Sequence, residues 1–327
     1  MNYNLIQSLM KPLGVSGRES RICDVIKEKI APYADEVYTD ALGNLIAHKR
    51  GPAGAEKLML AAHMDEIGFY VTDINAEGMV MFSAAGGIRF DTTGYSHVVF
   101  ENGVRGVIVA NDDADKYSAD NCYVDIGAKS KAEAGRRVKC GDTFAVCADI
   151  GKLNSHRLVG RPFDDRIGCA VIIEAASLVE EPAYDTYYCF TVQEEVGCRG
   201  SKTAAYAIMP DIAVAVDITK TGDTPGAPKM SVKLGGGAAV KVMDPSVICS
   251  PALVDKMISL AEAGKIKYQL EILTMGGTDT SEMQSAGAGC SAGCISIPTR
   301  YAHTPLEMID TADVDACIAL TAALIRG

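Results

Sequence analysis

Amphipathic helices and short apolar strands alternate at both ends of this 327-residue chain. In residues 18–33, Ile22, Ile26 and Ile30 recur on one helix face, and charged residues fill many of the other positions. Residues 57–62 form a continuous apolar run, which is typical of a strand buried on both faces. The same alternation returns in the second half of the chain. These regions therefore predict an α/β fold in which helices cover both faces of a sheet.

The predicted elements of this α/β region are as follows. Helices are predicted for residues 2–10, 18–33, 164–179, 201–207, 251–263, 281–285 and 312–325. Strands are predicted for residues 36–39, 44–47, 57–62, 211–217, 268–273 and 294–297, with one more after the glycines at 235–237 and one that ends in Glu194 and Glu195. Their order along the chain predicts a three-layer α/β/α domain.

The pattern changes between residues 68 and 159, where short β-prone runs such as 97–100 are separated by Gly, Asp and Asn. Only residues 129–134 indicate a helical turn or two. This pattern predicts a small all-β unit, either a barrel or a sandwich. We therefore predict a discontinuous α/β domain made of residues 1–67 and 160–327, with residues 68–159 inserted as a β domain.

The chain is acidic, with a formal net charge of −11 and a pI near 5.0. No cluster of Lys or Arg stands out, so nucleic acid and anionic membranes are not expected partners. The eleven cysteines include no Cys-x-x-Cys pair, and reduced thiols are expected rather than disulfides. The N-terminal residues lack the pattern of a signal peptide, and no uncharged run reaches transmembrane length. These features favour a cytoplasmic protein.

Candidate chemistry begins at Glu194 and Glu195, two adjacent carboxylates at the end of an apolar strand. Like charges at such a position are costly unless a cation lies nearby. Since neighbouring residues of a strand point to opposite sides, one carboxylate could bind a cation while the other faces a reacting water. Two solvated glutamates at a strand end are the simpler interpretation, unless other strand ends supply further ligands.

Other element ends do supply such residues: His63, Asp217 and His303 follow or end predicted strands, and Asp164 opens a predicted helix. The carboxyl ends of strands in an open α/β sheet meet at one crevice. Together with Glu195, these residues form a set of two imidazoles and three carboxylates that suits Zn, Co or Mn. Five ligands are too many for one tetrahedral site with an open position. They fit two metal ions, about 3.5–4 Å apart, that share a bridging carboxylate.

Each candidate also has a purely structural interpretation. A single histidine at a strand end is more often a hydrogen-bonded structural residue, and Asp164 with Asp165 could cap the following helix. His48, His97 and His156 lie outside such contexts and are expected to be surface or structural residues. The joint occurrence of all five candidates at element ends favours a metal site.

Motifs along nearly the whole chain resemble the M42 family of metalloaminopeptidases, the tetrahedral aminopeptidases. They are AHMDEIG at 62–68, DIGA at 125–128, FDDRIG at 163–168, VQEEVG at 192–197, AVD at 215–217, GGTDT at 276–280 and RYAHTP at 300–305. Members of this family carry names such as glutamyl aminopeptidase, deblocking aminopeptidase and endoglucanase or cellulase M. The resemblance implies a catalytic α/β/α domain of the zinc-peptidase type. It also implies removal of the N-terminal residue from short peptides that have a free N-terminus.

The resemblance implies a ligand role for each of the five candidates. His63 and Asp217 match the terminal ligands of one metal ion, and Glu195 and His303 match those of the other. Asp164 matches the carboxylate that bridges the two ions. The cofactors implied are two divalent ions per subunit, Zn or Co first and Mn as a further option.

The resemblance also identifies Glu194 as the general base and Asp65 as the residue that orients His63. Asp65 follows His63 by two residues and is expected on the same side of the strand, where it could hold the second imidazole nitrogen. A glutamate beside a metal-activated water can take its proton and pass it to the leaving amine.

Members of the family pair subunits through the inserted domain, and six such dimers often form a tetrahedral dodecamer. We therefore expect a homo-oligomer that assembles through residues 68–159, since a unit of this size leaves apolar surface uncovered. Two departures from the family pattern leave the substrate preference open. Residues 86–96 differ from the usual glycine-rich segment, and Asp165 stands where many members have Asn.

Two other functions match parts of the pattern. A glycoside hydrolase uses two carboxylates about 5–10 Å apart, but it would give His63 and His303 no role. A non-catalytic, metal-stabilised assembly protein would lack the base or a ligand, and none is missing from this sequence. A metal analysis and an activity screen on peptides and glycans would separate the three functions.

Overall fold

A computed structural model describes residues 1–110, 118–227 and 229–327 of the chain. The helices in these ranges are α1 (Tyr3–Met10), α2 (Ser20–Ile30), α3 (Phe90–Thr93), α4 (Lys131–Ala134), α5 (Arg166–Ser177), α6 (Arg199–Ile208), α7 (Pro251–Ala263), α8 (Thr280–Gln284) and α9 (Thr311–Arg326). The strands are β1 (Glu36–Thr39), β2 (Leu45–Lys49), β3 (Lys57–His63), β4 (Gly68–Ile74), β5 (Val80–Ala85), β6 (His97–Phe100), β7 (Arg105–Ala110), β8 (Cys122–Asp125), β9 (Thr143–Val146), β10 (Gly151–Lys152), β11 (Arg157–Gly160), β12 (Asp185–Thr191), β13 (Ile212–Thr219), β14 (Ala238–Met243), β15 (Tyr268–Ile272), β16 (Ser291–Arg300) and β17 (Glu307–Asp310).

An 11-stranded sheet forms the centre of the molecule, in the order β1-β2-β12-β3-β13-β16-β17-β11-β10, with β14 and β15 attached beside β16. Its four inner strands, β12, β3, β13 and β16, run parallel. Because parallel strands end at the same edge, whatever follows them is brought to one side of the molecule.

Alternation along β3 shows why helices cover both faces of this sheet. Leu58 and Leu60 belong to the large core formed with α1, α2, α5, α7 and α9. Met59 and Ala61 belong to a second core formed with α6 and α8. Successive side chains of a strand point to opposite faces, and both faces of β3 are apolar and buried. The predicted three-layer α/β/α arrangement is confirmed.

A closed six-stranded barrel, in the order β4-β5-β8-β7-β6-β9, forms the middle of the chain. Its interior is aromatic, with the rings of Phe69 and Phe144 stacked 4.9 Å apart and Phe100 packed beside them at 4.7 Å from Phe144. Along β7, alternate residues such as Ile108 are buried inside, whereas Val107 is partly exposed on the outside. Alternate side chains of these apolar runs therefore fill the interior of the barrel, and the others lie on its outer face.

Several elements differ from those expected. The strands β10, β11 and β17 and the helix α3 carry no clear periodicity and were not predicted. β10 and β11 belong to the large sheet, where β11 pairs with β17, so the barrel strands end at Val146. The division into 1–67 with 160–327 and 68–159 stays a prediction. The strand expected to reach Glu195 ends at Thr191.

All eleven cysteines are free thiols, as expected for this sequence. Among the described residues, none of the helices combines the length and the apolar character needed to cross a bilayer.

Candidate metal centre and active site

The parallel strands bring the candidate residues to one edge of the large sheet. His63 is the last residue of β3 and lies directly opposite Thr191, the last residue of β12. Asp217 lies near the end of β13, on the other side of β3. The turn that follows β12 carries Glu194 and Glu195. Side chains from three neighbouring strand ends therefore converge.

Asp164 lies between two imidazoles, just before α5. Its Oδ1 atom is 3.1 Å from Nε2 of His63, and its Oδ2 atom is 3.2 Å from Nε2 of His303. His303 lies in the turn after β16, where its φ angle is 62°. The two imidazoles thus face different oxygens of one carboxylate.

Three further carboxylates face these imidazoles. Oδ1 of Asp217 is 3.8 Å from Nε2 of His63, and Oε2 of Glu195 is 3.4 Å from Nε2 of His303. Oε2 of Glu194 is 3.9 Å from Nε2 of His63. The structure therefore brings all five predicted ligands and the predicted base into one cluster.

Asp65 holds the turn that carries the two glutamates. Its carboxylate accepts the backbone N–H groups of Glu194 and Glu195 at 3.0 and 3.3 Å, and the hydroxyl of Ser16 donates to it at 2.5 Å. Nδ1 of His63 lies 3.1 Å from the Asp65 carbonyl oxygen and 3.4 Å from its carboxylate. The sequence predicted that His63 and Asp65 would lie on the same side of one strand. Because β3 ends at His63, the contact is instead made by the turn that follows the strand. Asp65 ties the orientation of His63 to the position of both glutamates.

Asp165 is buried next to the cluster, and its role differs from that of Asp164. Its Oδ1 atom accepts the N–H of Gly168 at 3.1 Å, so Asp165 is the N-cap of α5, and its Oδ2 atom accepts the N–H of His63 at 3.3 Å. The capping role that the sequence left open for the acid pair therefore belongs to Asp165. Burial and the charge of Asp217 raise the pKa of this carboxyl.

The charges of the cluster do not balance. Burial, reinforced by the charge of Asp164, raises the pKa of Glu195 to about 8 and that of Asp217 to about 7. Burial alone would lower the pKa of His303, but its contacts with Asp164 and Glu195 raise it to about 10. The charge contributions to these shifts have a common origin, because buried negative charge in the cluster exceeds the positive charge around it.

The residues present fit divalent metal ions. Oε1 of Glu195 is buried and has no hydrogen-bond partner among the described residues, which is costly unless a cation is bound there. One donor atom from each of His63, Asp164 and Glu195 lies within 4.8 Å of the others, and the same holds for His63, Asp165 and Asp217. Imidazole and carboxylate donors suit Zn, Co or Mn.

A cleft of about 350 Å³ opens onto the cluster. Ile218, Leu273 and Met275 give it an apolar part, and Lys220 adds a cation to its wall. A second cavity of about 370 Å³ lies between α1 and the residues that precede α5, and it contains none of the candidate ligands. The cleft is therefore where a substrate can meet the cluster.

Four residues beside the cluster were given no role by the sequence. The hydroxyl of Ser16 donates a hydrogen bond to Asp65, and the Gly87 carbonyl contacts the imidazole of His303. Cys198 and Asp279 lie next to Glu194. Gly87 lies in the segment 86–96 and Asp279 lies in the GGTDT motif, so the sequence offered a signal for these two residues. Ser16 and Cys198 lay in no recognisable pattern.

The other histidines lie apart from this centre, as expected. His97 and His156 are exposed. His48 is 2.8 Å from a carboxylate oxygen of Asp185 and stacks on the ring of Tyr187 at 4.2 Å. These contacts account for His48 as a structural residue.

Comparison with known proteins identifies the family. The M42 glutamyl aminopeptidase family matches residues 43–320. Lysyl aminopeptidase of Pyrococcus furiosus is 34% identical, and the alignment covers 100% of this chain and 97% of that protein. The TET1 peptidase of Pyrococcus horikoshii is 35% identical, with a TM-score of 0.87 and 98% of each chain covered.

A third similar protein is named differently. The structure of a Thermotoga maritima protein described as an endoglucanase has 34% identity and a TM-score of 0.84, with 98% of this chain and 96% of that chain covered. The family match spans residues 43–320 and so includes every residue of the cluster. This chain belongs to the M42 family of peptidases, described as M42 glutamyl aminopeptidases.

Proposed function

We propose that this protein is an aminopeptidase that uses two divalent metal ions to remove the N-terminal residue from short peptides. One observation carries the proposal: His63 and His303 face the two oxygens of the single carboxylate of Asp164, at 3.1 and 3.2 Å. A carboxylate that faces an imidazole with each of its oxygens can be shared by a pair of metal ions.

In this proposal each ion has its own side of the cluster. His63 and Asp217 would hold one ion, His303 and Glu195 would hold the other, and Asp164 would be shared by both. The ions, Zn or Co with Mn as a further option, would polarise the peptide carbonyl and lower the pKa of water. The remaining chemistry belongs to side chains of this chain.

Glu194 is the proposed general base. Its Oε2 atom faces the cluster at 3.9 Å from Nε2 of His63, and its backbone N–H is fixed by the carboxylate of Asp65. From this position the carboxylate takes a proton from water and gives it to the nitrogen of the leaving amine. Burial raises the pKa of the Glu194 carboxyl.

The proposed substrate follows from the charge and the size of the cleft. A cleft of about 350 Å³ lined by buried carboxylates favours a peptide end with a free α-amine, because an ammonium or a metal-bound amine is attracted there. Asp65 acts as a positioning residue for both His63 and Glu194.

We also propose that the protein self-associates in the cytoplasm. The P. horikoshii relative is described as assembling into a tetrahedron or a large octahedral shell. The barrel stays the predicted contact for subunit pairing. The resulting dimer would be the building block of a dodecamer. A second apolar surface lies on the edge strand β15, where Leu270 is 44% and Ile272 is 51% exposed. Ile248, which follows β14 in the sequence, is 69% exposed. Exposed apolar edges are frequent contact sites.

A glycoside hydrolase is the second candidate, because one similar protein is described as an endoglucanase. The imidazoles of His63 and His303 argue against it, since glycosidases work with two carboxylates flanking the bond.

Matched peptides test the proposal. Peptides that differ only in N-acetylation are incubated with metal-loaded protein, and β-glucan oligosaccharides are tested in parallel. We expect release of the first residue from the free peptide and none from the acetylated one. Equal cleavage of both peptides would contradict an aminopeptidase, and glycan cleavage without peptide cleavage would support the second candidate.

A further inference from the structure

The carboxylate of Glu194 has a second neighbour besides the imidazole cluster. Its Oε2 atom faces His63, whereas its Oε1 atom lies 3.3 Å from Sγ of Cys198, which donates a hydrogen bond to it. The backbone fixes this contact, because the N–H of Cys198 donates to the carbonyl of Glu194 at 2.9 Å. Cys198 also lines the cleft, so the thiol can be reached from the substrate side.

Asp279 completes a second group of donors on this side. The residue is 2% exposed, and Oδ2 of its carboxylate accepts a hydrogen bond from Oγ1 of Thr191 at 2.6 Å. The other oxygen, Oδ1, is buried without a hydrogen-bond partner in the described ranges. The hydroxyl of Ser201 donates to the Cys198 carbonyl at 3.0 Å. Burial raises the pKa of Asp279, and interactions with the hydroxyls of Thr191 and Ser201 oppose this rise. A buried carboxylate oxygen without a hydrogen-bond partner is costly, and a bound cation would satisfy it.

The donor atoms of the three residues are close enough to share an ion. One atom from each of Glu194, Cys198 and Asp279 lies within 4.8 Å of the others. The group contains a thiol, whereas the imidazole cluster offers only nitrogen and oxygen donors. Thiolate ligands favour soft cations, so the two groups differ in the cations they select.

We propose that Glu194, Cys198 and Asp279 form a separate site for a thiophilic divalent cation, such as Cd²⁺ or Zn²⁺ in excess, and that its occupancy inhibits the enzyme. Binding breaks the S–H bond of Cys198 and forms a sulfur–metal bond, and the thiol proton leaves to the buffer. The inhibition rests on the proposed function, because a cation that holds Glu194 removes the proposed base. The binding itself does not depend on that function.

Cd²⁺ titration tests the site directly. The reference protein carries Cys140→Ser and Cys147→Ser, which remove the two exposed thiols. With the metal-loaded protein, we expect Cd²⁺ to produce the ultraviolet thiolate-to-cadmium charge-transfer band. Cd²⁺ that exchanges into the imidazole cluster gives no such band, because that cluster has no sulfur. Peptide hydrolysis should fall in parallel with the rise of the band.

Variants on this reference background assign the band. Cys198→Ser should abolish it, and Asp279→Asn should raise the half-saturating Cd²⁺ concentration about tenfold or more, since even residues that only orient ligands cost 10–100-fold. Cys290→Ser is the matched control, because this thiol is half-buried and donates to the Met283 carbonyl, and it should leave the band unchanged.

The outcomes separate this inference from the proposed function. A missing band, or a band that persists in Cys198→Ser, would overturn the site. A Cys198-dependent band without loss of peptide hydrolysis would overturn the inhibitory role. If the protein cleaves no peptide at all, the proposed function fails, while the band still tests the site.

Discussion

The backbone carbonyl of Gly87 accepts a hydrogen bond from Nδ1 of His303 at 2.8 Å, across 216 residues of sequence. This contact places the proton of the imidazole on Nδ1 and leaves Nε2 free to face Asp164 and Glu195. Gly87 follows β5 of the barrel, so the barrel contributes directly to the orientation of a proposed metal ligand in its own chain.

Replacement of Gly87 by Ala should weaken metal binding. An added Cβ would lie 3.0 Å from Nδ1 and 3.3 Å from Cε1 of His303, so the imidazole would have to move. Disturbing an outer partner of a ligand typically costs about 10–100-fold in metal affinity. Gly94→Ala is the matched control, because a Cβ there meets nothing within 4 Å. Competition with a chromogenic chelator measures the affinities, and equal values for the two variants would contradict this role of Gly87.

Substitution of each glutamate in the turn should separate the base from the ligand. Glu194→Gln should reduce turnover by about 10²–10⁴-fold while both metal ions stay bound, because Gln keeps the shape but not the basicity. Glu195→Gln should instead lose metal, since Glu195 lies 3.4 Å from Nε2 of His303. Elemental analysis and peptide kinetics give the two readouts. If the variants exchange these properties, the two assignments are reversed.

Removal of metal should abolish peptide hydrolysis and destabilise the fold around the cluster. Without cations, the buried carboxylates of Glu195 and Asp217 repel their neighbours, and burial raises the pKa of both. Dialysis against a chelator, followed by Zn, Co or Mn, should remove and then restore both activity and thermal stability. Full activity in protein that elemental analysis shows to be free of metal would contradict the dinuclear proposal.

Glu19 should make stability depend on pH. Its carboxylate accepts the N–H groups of Gly17 at 2.6 Å and of Gln193 at 3.2 Å, and burial, with a smaller effect of Asp65, raises its pKa from 4.5 to about 7. The folded state therefore binds the proton more tightly than the unfolded state. Its stabilising contribution is complete below pH 4.5 and disappears as the pH rises to about 7.

Glu19→Gln has no charge to bury, so its stability relative to wild type should rise by about 3 kcal/mol from below pH 4.5 to above pH 7. Urea unfolding at both ends of this range, with equal metal content, measures the difference. Glu28→Gln is the control, because Glu28 is exposed on α2 and solvent screens its charge. A pH-independent difference for Glu19→Gln would contradict the prediction.

The full chain should form an assembly larger than a dimer. Light scattering after size exclusion measures its mass. On the outer face of the barrel, Val107→Lys with Val109→Lys should prevent subunit pairing, because both side chains are only partly covered within one chain. Ile272→Lys on β15 should leave pairs but prevent larger assemblies. A monomeric wild-type protein would contradict self-association, and a barrel variant that still assembles fully would remove the barrel as the pairing surface.

The sequence by itself determined the layers of the fold and the composition of the cluster. Apolar runs such as 57–62 and helical periodicity such as that of 18–33 arise from each segment's own contacts with the core, so they can be read locally. The candidates His63, Asp164, Glu195, Asp217 and His303 could be grouped because parallel strands end at one edge, whatever their distance in sequence.

Only the tertiary structure decided which residues surround that cluster. Asp279 meets Thr191 across 88 residues of sequence, and Gly87 meets His303 across 216. The three strands β10, β11 and β17 are stabilised by pairing with one another and with β16, and not by a periodicity of their own. Contacts of this kind depend on the path of the whole chain, which local patterns do not encode. For the same reason, the bonds from Asp65 to the glutamate turn became visible only once β3 and β12 lay side by side.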